Sequence, residues 1–246
     1  MQILINHSLI NYLELNPKQK KTVVILHGWG QTGSFWLPLA KLLPPTHRYL
    51  ILDLPGFGGS DHLPDNPDVP QYSHFLKDFL DKLKISRPTI IGHSFGGQIA
   101  MDFALTYPEQ LSSLILISPA GIRQTSSKTT LKKIVYQFFK PVKFITPSPI
   151  QKLLRPLFTS QDYINAIGKQ KDILKLILRY DLSHRLNQIT VPTHIIWGDL
   201  DYVIPYQGKL LAENIPDSTL HVLYGAEHNP HIYKTQALAD TLIPLL

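Results

Sequence analysis

The chain of 246 residues contains no cysteine. That excludes a disulfide framework, a thiol nucleophile and any cysteine-ligated metal or iron–sulfur centre. It also lacks an unbroken apolar run of about 18 residues, so no membrane-spanning helix is expected. The N-terminal stretch Met1 to Asn16 has no basic leader, and Asn6, Asn11 and Glu14 interrupt its apolar residues, unlike a secretory signal. There is no internal repeat and no low-complexity tract. Charged residues make up only 17% of the chain against 43% hydrophobic, which excludes bulk disorder and supplies a real core. The expectation is a soluble, cytoplasmic protein of one large α/β domain, or one domain with an insertion.

What is present is a regular alternation. Short continuous apolar runs occur at Val23–Leu26, Tyr49–Leu52, Thr89–Ile91, Leu114–Ile117, Thr193–Trp197 and Leu220–Leu223. Continuous rather than alternating runs are the mark of parallel strands covered on both faces. Residues Ile3 to Leu15 suggest one or two antiparallel edge strands. Helical stretches are expected at about Ser34–Leu43, Gln71–Leu83, Gly97–Thr106, Tyr206–Glu213 and Ile232–Leu245. The fold class is therefore α/β, a mostly parallel central sheet with helices on both faces.

The alternation stops after Gly121 and resumes at Val191-Pro192. Between them, Leu131, Ile134, Val135, Phe138 and Phe139 recur at helical spacing, as do Ile173, Leu174, Ile177 and Leu178. Residues 122–186 read as a helical cap inserted after the sixth strand, with 1–121 and 187–246 as the core.

Gly92-His93-Ser94-Phe95-Gly96 follows an expected strand and opens an expected helix. So sharp a turn needs small residues two before and two after its centre. It then presents the Ser94 hydroxyl at the end of the sheet, beside a helix N-terminus. A serine hydroxyl is a poor nucleophile near neutral pH and needs a base. The chain order serine, acid, histidine points to Asp201 as the acid and His228 as the base, each in a loop after a strand at the same edge. Asp199 is the alternative acid, read instead as a turn acceptor. His231 is the alternative base; His228 is preferred because it lies earlier in the loop that follows the last strand. Glu227, His228 and His231 have a faint metal-site spacing, but no further ligand cluster accompanies them, and no metal or organic cofactor is expected. The oxyanion of an acyl intermediate needs two backbone N–H donors. Phe95, after the nucleophile, and Trp29, in His27-Gly28-Trp29-Gly30, are the candidates.

With these residues the chain resembles the α/β-hydrolase superfamily over nearly its whole length. The matching segments are His27–Gly30, Asp53–Ser60, Gly92–Gly97, Gly198 with Asp201 and Pro205, and Gly225 with His228. The resemblance implies a serine hydrolase core under a cap, with Asp53 in a turn that is mainly structural. Dehalogenases and epoxide hydrolases of the superfamily carry aspartate where this chain has Ser94, which argues against both. The His-Gly-Trp-Gly segment and the cap are similar to small carboxylesterases, including those acting on pimeloyl-carrier-protein methyl esters; carbon–carbon bond hydrolases share the same parts. The leading expectation is a serine ester or thioester hydrolase for a hydrophobic acyl group, working through an acyl-enzyme. The alternatives are a carbon–carbon bond hydrolase or acyltransferase, and a hydrolase-fold receptor with slow turnover.

The net charge of +6 is unevenly spread. Residues 122–186 hold 13 basic and 3 acidic residues, a net of +10, while the rest of the chain holds 11 basic and 15 acidic, a net of −4. Helices need a solvated polar face, and lysine often supplies it. The bias is also what an acidic partner would need: a carrier protein, an anionic lipid surface or a charged substrate. Nucleic acid is not expected, since no reading motif and no aromatic-interleaved basic strand is present.

Overall fold

The computed structural model describes residues 1–123, 170 and 172–246. Among them are eight strands: β1 (Gln2–Ile5), β2 (Ser8–Leu15), β3 (Thr22–Leu26), β4 (Arg48–Leu52), β5 (Thr89–His93), β6 (Ser113–Ile117), β7 (Thr193–Gly198) and β8 (Ser218–Leu223). They form one sheet in the order β1-β2-β4-β3-β5-β6-β7-β8. Of the one or two antiparallel strands expected in Ile3–Leu15 the structure forms two, β1 at the edge of the sheet and β2 beside it. β1 pairs antiparallel with β2 and β2 with β4, and every other pairing is parallel.

The continuous apolar runs have a simple cause. Successive side chains point to opposite faces, and both faces are covered. Val24 and Leu26 of β3, Leu50 and Leu52 of β4, and Leu114 and Leu116 of β6 enter one core layer. Their neighbours Val23, Ile25, Tyr49, Ile51, Ile115 and Ile117 enter the other. α2 (Val69–Lys82) and α3 (Phe95–Thr106) cover the first face, through Phe75, Phe79, Ile99 and Phe103. Each such side chain, fully buried, contributes roughly 1.5–3 kcal/mol. α1 (Leu37–Ala40) and α6 (Thr235–Leu242) cover the second, through Leu39, Leu238 and Leu242.

α2 starts at a capping box. The Asp68 carboxylate accepts from the Gln71 N–H at 3.0 Å, and the Gln71 side chain accepts from the Asp68 N–H at 2.9 Å. Two expected helices differ in form. Ser34–Leu43 is a 3-10 turn, Gly33–Trp36, leading into the single turn of α1. Ile232–Leu245 is broken at Lys234 into α5 (Pro230–Tyr233) and α6, with a 3-10 turn at Ile243–Leu245. α4 (Gly208–Asn214) begins two residues later than expected. Most of the expected cap lies outside the described residues. Its returning end is helical over residues 172–179 and packs on the core through Ile173 and Ile177. Among the described residues no helix is long and apolar enough to cross a membrane.

Candidate active site

The turn from β5 into α3 is built by close packing. A Cβ on Gly92 would come within 2.6 Å of the Gly96 carbonyl, and one on Gly96 within 2.4 Å of the Leu26 carbonyl. Only hydrogen fits at either place. Ser94 between them takes φ 51° and ψ −113°, left-handed backbone that side chains seldom adopt. Three backbone bonds hold it there. Its N–H donates to Ile117 O at 3.1 Å, and its carbonyl accepts from Gln98 N at 3.0 Å and Ala120 N at 2.9 Å.

The last strands deliver the partners. The β7–α4 loop carries Asp201, and the loop after β8 carries His228. His228 Nδ1 lies 2.8 Å from Asp201 Oδ2, and His228 Nε2 lies 3.1 Å from Ser94 Oγ. A carboxylate only accepts, so Nδ1 carries the proton and Nε2 is left to accept from the serine hydroxyl. The other oxygen of Asp201 accepts from the N–H groups of Val203 and Ile204, each at 2.9 Å. All three side chains are buried.

The loop after β3 lies against this turn. Gly96 N donates to His27 O at 3.2 Å. Among the described residues neither the Phe95 N–H nor the Trp29 N–H has an acceptor in the protein. Asp53 pins the far side of the same loop: its carboxylate accepts from Gly33 N at 2.6 Å, Gly59 N at 2.9 Å and Asn11 Nδ2 at 2.8 Å. His27 donates through Nδ1 to Gly28 O at 2.8 Å and accepts at Nε2 from Leu54 N at 2.9 Å. Burial lowers its pKa to about 4. The half-buried Trp29 ring meets Phe57 edge-on at 4.9 Å and Phe95 at 5.5 Å, forming an aromatic wall beside the loop.

The alternative acid and base, Asp199 and His231, lie outside this chain of hydrogen bonds. Asp199 Oδ1 accepts from Gly225 N at 2.6 Å and closes the turn between two loops. His231 is buried and stacked on Trp36 at 4.2 Å, with neither ring nitrogen hydrogen-bonded among the described residues. Burial, then the neighbouring His228 and His27, lower its pKa to about 3. Glu227 is exposed, and no group of three or more side chains among the described residues has metal-site geometry.

Two contributions had no counterpart in the sequence reading. Gln31 Nε2 donates to Asn229 Oδ1 at 2.8 Å, joining the loops after β3 and β8 across 198 residues. His93, in the variable place of the serine motif, donates to the carbonyl of His228. Neither follows from spacing, because each is a contact between distant loops.

A mostly parallel sheet with a serine on the sharp turn after β5, hydrogen-bonded to a histidine–carboxylate pair, has the architecture of the α/β-hydrolase fold. The family model described as "alpha/beta hydrolase fold" matches residues 21–235, and the chain belongs to that family. It is 26% identical over 261 residues to the Monoacylglycerol lipase ABHD6 of Mus musculus, covering 94% of this chain and 76% of that one. To the 2-hydroxy-6-oxononadienedioate/2-hydroxy-6-oxononatrienedioate hydrolase 1 of Pseudomonas putida it is 29% identical over 235 residues, 85% of this chain and 82% of that one. The esterase EaEST of Exiguobacterium antarcticum superposes with a TM-score of 0.80 at 22% identity, over 100% of this chain and 98% of the other.

Proposed function

We propose that the protein hydrolyses a carboxylic ester or thioester of a hydrophobic acyl group. Ser94 attacks the acyl carbon as His228 takes its proton. Asp201 holds the imidazole in the right tautomer and stabilises its cation. The Phe95 and Trp29 N–H groups receive the oxyanion, and water attacking through His228 releases the acid. The observation that carries this reading is the continuous hydrogen-bond chain Asp201–His228–Ser94. The half-buried Trp29 ring, packed on the core rings of Phe57 and Phe95, supports an apolar acyl group.

Labelling with a fluorophosphonate, beside turnover of acyl esters of increasing chain length, tests the assignment. Wild type should be labelled and Ser94→Ala should not. Equal labelling of both removes the nucleophile. A second reading, hydrolysis of a carbon–carbon bond beside a carbonyl, is favoured by the likeness to the Pseudomonas putida hydrolase. Faster turnover of a 2-hydroxy-6-oxo dienoate than of every ester would select it.

For residues 122–186 we propose a cap that chooses the substrate and, by its net charge of +10, attracts an acidic partner or a carrier-linked substrate. Turnover of a carrier-linked ester should then weaken steeply with salt. A salt-independent rate opposes the charge argument. The cytoplasm is the proposed location.

A further inference from the structure

His93 is the last residue of β5 and is buried beside Ser94. Its Nε2 lies 2.8 Å from the carbonyl oxygen of His228. A carbonyl oxygen only accepts, so Nε2 carries the proton and Nδ1 is bare. Nδ1 is buried and has no hydrogen-bond partner among the described residues. The ring is buried, with several loops against it. Gly28 lies so close that a Cβ there would come within 2.8 Å of Nδ1. The rings of His228 and His231 lie 4.9 and 4.8 Å away, and Trp36 lies 5.8 Å away. One imidazole thus touches the oxyanion loop, the serine turn and the histidine loop.

The topology explains why such a tie is needed. His228 leaves the sheet at β8, three strands from β5, or about 14 Å at ordinary strand spacing. Its loop must reach back over β7 and β6 to meet Ser94. The bond from Leu200 N to Ala226 O, 3.0 Å, anchors that loop at β7. The Asp201 bond acts on one ring nitrogen of His228, not on its backbone. The His93 bond fixes the backbone at the far end of the reach, from the residue next to the nucleophile.

We propose that His93 is a positioning residue for His228: its Nε2–H clamps the His228 carbonyl so that His228 Nε2 stays in register with Ser94 Oγ. The inference rests on the serine hydrolase reading. A neutral donor is required here, because His228 becomes a cation in the acylation step and a charge on His93 would repel it. Burial, with His231 and His228 nearby, keeps His93 well below its ordinary pKa and so neutral.

The test combines two variants with one observation on the unaltered protein. His93→Phe keeps a ring but removes the donor; His93→Gln keeps an N–H donor at similar reach. With a p-nitrophenyl ester as probe, His93→Phe should lower kcat by about 100-fold, the scale of a 1 Å misplacement, with KM little changed. His93→Gln should recover most of that loss. In wild type, nitrogen-15 NMR of the histidines should find His93 as the Nε2–H tautomer with a bare Nδ1. A folded His93→Phe enzyme with wild-type kcat overturns the proposal, as does equal loss in a folded His93→Gln enzyme. Should His93→Phe not fold, the tautomer decides, and Nδ1–H overturns the clamp. The NMR observation needs no substrate. A wild type that neither labels nor turns over esters therefore defeats the proposed function without touching the tautomer result.

Discussion

At the amino edge of the sheet the backbone turns left-handed at Lys84 and Arg87, both exposed. At the carboxyl edge it does so at Ser94 and Ser118, both buried. The conformational cost is of one kind; its setting is not. Around Lys84 the N–H groups of Lys84 and Ile85 return to carbonyls of α2, and the side chain is exposed. Around Ser94 the same strain is surrounded by buried polar atoms, and several have no partner among the described residues: His93 Nδ1, Ser118 Oγ and both nitrogens of His231. Buried polar groups of that kind cost roughly 1–3 kcal/mol each. The amino edge turns the chain. The carboxyl edge accepts instability where the proposed chemistry lies, and variants at the two edges should separate the effects.

The largest effect is expected at Ser94. Ser94→Ala should lower ester turnover by about 10⁴-fold or more, leaving only what oxyanion binding supplies. Circular dichroism should show an unchanged fold. Residual turnover within tenfold of wild type would mean that this edge is strained for some other purpose.

Asp201→Asn should follow closely. The asparagine Oδ1 would be captured by the N–H groups of Val203 and Ile204, which now bind Asp201 Oδ1. Its amide nitrogen then faces His228 Nδ1, and two donors cannot share that contact. His228 must move its proton to Nε2, where it can no longer accept from Ser94. A fall in kcat of about 10⁴-fold is expected, with substrate binding retained. Wild-type kcat would show that the tautomer is fixed by something other than Asp201.

Much of this edge is legible in the sequence, for a physical reason. Gly92 is forced by contacts within a few residues of Ser94, and although Gly96 is forced by the Leu26 carbonyl of β3, both glycines sit at fixed spacing from the serine, so the turn is written locally. The apolar runs are equally readable, since both faces of each strand meet a core. What stays hidden is made by long-range contacts. His93 occupies the motif place that tolerates many residues, and its role depends on a loop 135 positions away. Gln31 meets Asn229 only because two strand ends converge. The break at Lys234 and the shortening of Ser34–Leu43 into a 3-10 turn and one helical turn flank the Trp36–His231 stack, a contact between segments far apart in the chain. Apolar periodicity alone reads through both.

The carboxyl edge should also be the acid-sensitive one. His27 and His231 fold as neutral groups, with pKa values lowered from 6.5 to about 4 and about 3. Above 6.5 both states are uncharged there and the two residues leave stability level. As pH falls below that value the unfolded chain takes up protons that the folded one refuses. Stability is lost across the window down to the folded pKa values, at up to about 1.4 kcal/mol per pH unit for each histidine. His231→Phe keeps the stack on Trp36 and removes one such proton. Denaturant unfolding on the acid side should then show a slope shallower by about that amount. Turnover should change by less than about tenfold, since the His231 ring bonds to neither Ser94 nor Asp201. An unchanged slope would mean that His231 already titrates in the folded protein.

The smallest effect belongs to the amino edge. α2 ends in a left-handed cap: Ile85 N donates back to Leu80 O at 2.9 Å and Lys84 N to Asp81 O at 3.0 Å, while Lys84 takes φ 54°. The lysine side chain is exposed and makes no contact that this turn needs. Glycine removes the Cβ clash in the folded state but frees the unfolded chain, and the first term is the larger. Lys84→Gly should therefore stabilise by about 0.5–1 kcal/mol, raising Tm by about 1–4 °C for a chain of this length. Kinetics should not change. Ser94→Gly relieves the same strain at the other edge and should stabilise by a similar amount, but with turnover lost. If Lys84→Gly also altered kcat, the two edges would be coupled through the sheet. The division between a turning edge and a chemical edge would then fail.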